Sequence, residues 1–146
     1  MKIRNSGFSL IEVLLVLAIF GGMLCIALPS VVHTFRHMQG EQFIDMLGAD
    51  IYLAANEALS YRGQVRIVFY PQSEFYTVQR MWELKKKKVM IPAGFSVTNN
   101  FRNGTIIFNE LGHVIQAGTI SIVYPNSMKK KVTVYMASGR FSVNTE

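Results

Sequence analysis

From Phe8 to Leu28 the chain reads FSLIEVLLVLAIFGGMLCIAL, a run that carries one acid, Glu12, and no base. A helix lying on a soluble core would show a polar stripe at 3.6-residue spacing. Here Ser9 and Glu12 are the only polar side chains, so the run is apolar on every face. Its length meets the roughly 20 residues that a helix needs to cross a bilayer. An ordinary secretory signal would have an apolar core of about 7–15 residues with a small-residue cleavage site after it. The sequence LPSVVHTF that follows has no A-x-A pattern. Small polar residues and glycine come before the run instead, in Asn5-Ser6-Gly7, so a cut there would leave the helix attached.

Lys2 and Arg4 precede the run and favour a cytoplasmic N-terminus, opposed in part by Arg36 beyond it. The formal net charge is +6, from 15 basic and 9 acidic residues, a balance that suits nucleic acid or anionic lipid. Cleavage after Gly7 would remove Lys2 and Arg4 and weaken that inference. Glu12 is the informative residue, because a carboxylate in the apolar zone costs roughly 2.5–3.5 kcal/mol on insertion scales. A cut after Gly7 creates an α-amine on Phe8, one helical turn before Glu12. That amine can neutralise Glu12 within a subunit or pair with Glu12 of a neighbour. Cys25, the single cysteine, permits no intrachain disulfide and reads as a small apolar filler.

The segment Ser6-Gly7-Phe8-Ser9-Leu10-Ile11-Glu12 resembles the cleavage motif of type IV prepilins and pseudopilins. The resemblance implies a membrane prepilin peptidase that cuts between Gly7 and Phe8, N-methylation of Phe8, and a registering role for Glu12 in a filament. Pro29 matches the proline that often follows the membrane half of these helices.

Further on, Phe43, Leu47, Ile51, Ala54, Ala55 and Ala58 recur at spacings of three and four, with Glu41, Asp45, Asn56 and Glu57 on other faces. This is an amphipathic helix. Helix is predicted from Phe8 to Ser60, bent or loosened near Gly21-Gly22, Pro29 and Gly40. After Gly63 the pattern becomes β-branched and aromatic. Strands are expected at 64–70, 75–82, 89–91, 95–97, 104–108, 113–116, 119–124, 131–136 and 141–143, with a hairpin-like turn at Asn109–Gly112. The expected organisation is a leader at 1–7, a transmembrane and filament-core helix at 8–28, its amphipathic continuation at 29–62, and a β-rich head at 63–146. The fold class is α+β, a long N-terminal helix packed on antiparallel β-sheet, pilin-like.

The run from Phe108-Asn109 through Gly112 to Gly118-Thr119-Ile120, with the late Gly139-Arg140, resembles minor pseudopilins of the GspH/FimT kind. Small size, basic turns and the lack of a second cysteine are more similar to the ComGD-type pseudopilin of Gram-positive competence systems. The resemblance implies a minor subunit of a competence pilus taking part in DNA uptake. Its partners would be other pseudopilins, the prepilin peptidase and the membrane. The alternatives are a minor pseudopilin of type II secretion and a type IV minor pilin that binds DNA directly. The chain would be single-pass with a cytoplasmic N-terminus before assembly, and its head would lie at the cell surface.

Two lysine runs, Lys85, Lys86, Lys87, Lys88 and Lys129, Lys130, Lys131, are expected beside strands, at sheet edges or turns. They either form solvated turns that discourage edge-to-edge pairing or, with Arg140, contact the phosphates of single- or double-stranded DNA. Tyr70, Phe75, Tyr76 and Trp82 are either core or stacking platforms for bases. His33 and His37 have i, i+4 spacing, but no H-E-x-x-H acid and no third ligand accompany them, so no metal is expected. No catalytic constellation or cofactor motif stands out, and the chain reads as a substrate of processing, not an enzyme.

Overall fold

The computed structural model describes residues 9–70, 73–136 and 141–145, with only the backbone at 27–31, 33 and 145. The chain divides into two units, 1–36 and 37–146. Helix α1, Leu10–Ser60, runs through both. Its assignment is continuous through Gly21, Gly22, Pro29 and Gly40, where the sequence suggested a bend or loosening.

In the first unit every described side chain from Leu10 to Ile26 is exposed, including Leu10 at 81% and Ile26 at 82%. Among the described residues no helix is long and apolar enough to cross a membrane.

The second unit begins within α1 and continues, among the described residues, through eight strands: β1 (Val65–Phe69), β2 (Phe75–Arg80), β3 (Lys87–Met90), β4 (Ser96–Asn99), β5 (Thr105–Phe108), β6 (Gly118–Val123), β7 (Lys129–Val134) and β8 (Phe141–Thr145). They form two antiparallel sheets, ordered β3-β2-β1-β5 and β4-β6-β7-β8. The predicted strand at 113–116 is reduced to a bridge between Phe108 and Val114.

The helix stripe is buried as its spacing requires: Phe43, Leu47, Ile51, Ala54 and Ala58 are at most 1% exposed. They join Ile67, Tyr76 and Ile106 of the first sheet and Ile120, Ile122 and Val132 of the second in one core. Each large apolar side chain so buried contributes roughly 1.5–3 kcal/mol. Strand alternation sorts the faces, so Val65, Ile67 and Phe69 point inward while Arg66 and Val68 do not.

Gly63 and Gly112 are among the glycines that permit close approach. A Cβ at Gly63 would lie 2.3 Å from the Trp82 ring. Gly112 has φ +72°, and its Cβ would meet the Ala55 carbonyl oxygen at 2.6 Å. The helix ends with Arg62, not a glycine, in the left-handed region at φ 47°. Gly63 N–H then donates to the Ala58 carbonyl at 3.1 Å, which closes the last turn.

Candidate functional site

Gly7 and Phe8, between which cleavage is expected, lie outside the described residues, as does Arg140. The described chain begins at Ser9, whose carbonyl accepts hydrogen bonds from Glu12 N–H at 3.0 Å and Val13 N–H at 3.3 Å. Glu12 thus lies in the first turn of α1, exposed among exposed apolar neighbours. A carboxylate at a helix N-terminus is favoured by the helix dipole.

The sequence places both lysine runs at sheet edges or turns; the structure puts the first on an edge strand and the connection leading into it, and the second inside a sheet. Lys85 and Lys86 are exposed in the connection before β3, whereas Lys87 and Lys88 belong to β3 itself, an edge strand. Lys129, Lys130 and Lys131 all belong to β7, which is an interior strand of its sheet. Strand alternation then splits each run. Lys87 shares the inward row with Val78, Ile67 and Ile106 and donates to Asp50 at 2.5 Å. Lys88 faces outward, 3.8 Å from the Phe75 ring centroid. Lys130 points inward and donates to Glu41 at 2.5 Å. Lys131 lines an outer-face groove with Thr98, Asn100 and Ser121.

Two similar clamps result, each joining a helix acid, a tyrosine and a strand lysine; Tyr76 lies on β2 and Tyr124 directly after β6. In the first, Asp50 is 4% exposed and accepts from Tyr76 O–H at 2.9 Å as well as from Lys87. Burial first, and then the Asp50 charge, push the Tyr76 hydroxyl pKa far above its usual value. In the second, Glu41 accepts from Tyr124 O–H at 3.1 Å as well as from Lys130. The Lys130 hydrogen bond is the main reason that the Glu41 pKa is lowered. Tyr124 is raised, chiefly by burial. His37 Nε2 lies 3.7 Å from Glu41.

A third tie joins Arg80 to Glu57, with Nε and Nη2 donating at 2.7 and 2.8 Å, and Glu57 raises the Arg80 pKa. Asp50 and Glu57 are seven residues apart, two turns on one helix face. Glu57 therefore faces the sheet and not solvent.

The sequence-predicted aromatic set divides in the same way. Tyr76 is core, at 0% exposure. Trp82 is 41% exposed and stacks on Tyr61, with centroids 5.1 Å apart. Tyr70 and Phe75 are half-buried and pack together at 5.1 Å. Among the described residues no group of His, Cys, Asp and Glu could hold a metal ion.

Asp50 and Glu41 were missed as partners of the lysines. For Asp50 a signal existed, since it falls on the apolar stripe between Leu47 and Ala54. An acid on such a face needs a buried partner.

Residues 2–21 match the prokaryotic N-terminal methylation motif. No curated protein matches the sequence. Among solved structures, the chain is similar to the minor pseudopilin EpsH from the type 2 secretion system of Vibrio cholerae. That likeness has a TM-score of 0.58 at 12% identity, over 72% of this chain and 95% of that one. It is also similar to the type IV minor pilin FimU of Pseudomonas aeruginosa, with a TM-score of 0.55 at 15% identity, over 68% of this chain and 84% of that one. At such identities the likeness is one of fold. The chain therefore has the α+β fold of pilins and minor pseudopilins, behind an N-terminal methylation motif.

Proposed function

We propose that the chain is a minor pseudopilin of a competence pilus and takes part in DNA uptake. In this reading it is inserted with its N-terminus in the cytoplasm, cut between Gly7 and Phe8 by a prepilin peptidase, and methylated on Phe8. It then enters a filament by burying its apolar helix among those of other subunits. The observation that carries the reading is one continuous element. A methylation motif leads into a helix exposed and apolar from Leu10 to Ile26, and the continuation of that helix is clamped to a β-rich head. An apolar surface of that extent needs lipid or neighbouring helices against it. Glu12 then acts as the registering acid, paired with the new α-amine.

The likeness to EpsH favours a second reading, a minor pseudopilin of type II secretion. A deletion strain tests both. Loss of transformation, restored by the wild-type chain, supports the competence role. Intact transformation with loss of secreted proteins establishes the secretion role instead. Glu12→Ala should be inserted and cut normally yet enter filaments poorly. Its normal incorporation would refute the registering role.

A further inference from the structure

The helix uses only one face of the first sheet. On the other face, strand register sets Gln79, Arg66 and Ile107 side by side across β2, β1 and β5. Ile115 extends this row by donating its N–H to the Ile107 carbonyl at 3.0 Å. Val68 lies in the next row, between Thr77 and Thr105. These rows floor an open groove of about 370 Å³, whose lining also includes Arg102 and Gln116. That volume falls within the range of small-ligand sites.

The groove carries two guanidinium groups and no acid. Arg66 donates to the Gln64 side-chain oxygen at 2.9 and 2.6 Å, and this neutral acceptor aims the group without cancelling its charge. Arg102 is exposed in the turn just before β5. Among the described residues neither arginine pairs with a carboxylate. Beyond the groove the same face continues to Tyr70, which accepts from the Gln79 side-chain amide at 3.4 Å, and then to Phe75 and Lys88.

We propose that this face binds single-stranded nucleic acid, with a base on the Val68–Ile107–Ile115 floor and the flanking phosphates at Arg66 and Arg102. Guanidinium groups match phosphate oxygens in geometry and charge. The Gln79 and Gln116 amides supply both donors and acceptors for a base edge. A duplex keeps its bases stacked inside, where they cannot reach the apolar floor. An acidic peptide would satisfy the arginines but leave the floor without a flat partner. The proposal deepens the uptake role proposed above, and rests on it for context.

The test uses the full chain in detergent micelles and a fluorescein-labelled oligothymidylate, with anisotropy read over a range of salt. Replacing both arginines, Arg66→Gln with Arg102→Gln, should weaken binding roughly tenfold or more at low salt. The slope of log affinity against log salt should become shallower by about 1.4, since each phosphate contact on a single strand contributes about 0.7. The lysine version, Arg66→Lys with Arg102→Lys, keeps the charge and should retain most of the slope. Trp82 lies outside this face, so its fluorescence checks the fold of each variant. Unchanged affinity and slope in the glutamine variant would overturn the site. So would equal or tighter binding of a duplex with the same arginine dependence, or displacement of the oligonucleotide by polyglutamate. N-terminal cleavage, followed in the same variants, separates the two proposals. A chain that is cut after Gly7 but binds the oligonucleotide independently of both arginines removes this site and leaves the filament role standing.

Discussion

Replacing Lys87 by methionine should destabilise the head more than replacing its partner Asp50 by asparagine. The asymmetry follows from burial. The Asp50 side chain is 5% exposed, whereas that of Lys87 is 43% exposed. Lys87→Met leaves a buried carboxylate with Tyr76 O–H as its remaining partner in the clamp. Breaking a fully buried ion pair costs about 3–5 kcal/mol. The solvent that already reaches Lys87 screens the pair, so about 2–3 kcal/mol is expected here. Asp50→Asn keeps an oxygen for Tyr76, and Lys87 can turn to water, so its cost should be about 1 kcal/mol. Combining the two changes removes the buried charge along with its partner. The double variant should therefore recover about 1 kcal/mol or more relative to the sum of the single changes. Urea unfolding of the chain in detergent micelles, followed by the single tryptophan, Trp82, measures all four proteins. Equal costs for the two single variants, or strict additivity in the double variant, would refute the claim that Lys87 holds a buried Asp50 charge.

The second clamp predicts a pH dependence. The folded-state pKa of Glu41 is lowered from its ordinary value of 4.5, so this group adds stability at neutral pH. That contribution is fully present above 4.5 and fades as pH falls through the lower folded value. Glu41→Gln should therefore be less stable than the wild type at pH 7, and the gap should close in acid. A gap that stays constant with pH would place the loss elsewhere. Gly112→Ala should cost about 2 kcal/mol or more in the same urea assay, because it combines a left-handed φ with a clash against the Ala55 carbonyl. A change within about 0.5 kcal/mol would show that the turn can move away from the helix.

The local features of this fold are legible in the sequence because they depend on nearest neighbours. Apolar spacing from Phe43 to Ala58 gives the buried helix face, and β-branched alternation gives most strands. Asn109 and Gly112 mark a turn that Asn109 Oδ1 then closes by accepting from Leu111 N–H and His113 N–H. Features set by long-range register are not legible. The roles of Lys87 and Lys130 depend on which residue of each lysine run faces the core, and one residue of slip would reverse them. Splitting the strands into two sheets depends on pairing between distant segments, such as β1 with β5. The outer-face groove is hidden for the same reason. Arg66, Gln79 and Ile107 are scattered in sequence and adjacent only through the ladder. Arg62 takes the left-handed position at the helix end that glycine usually takes, and the neighbouring Gly63 lies under the Trp82 ring.

The central claim is that the chain is processed before it works, so the most direct measurement is the N-terminal sequence of the chain recovered from membranes with and without a prepilin peptidase. The account predicts Met1 without the peptidase and a methylated Phe8 with it. An intact Met1 in the presence of an active peptidase would contradict it.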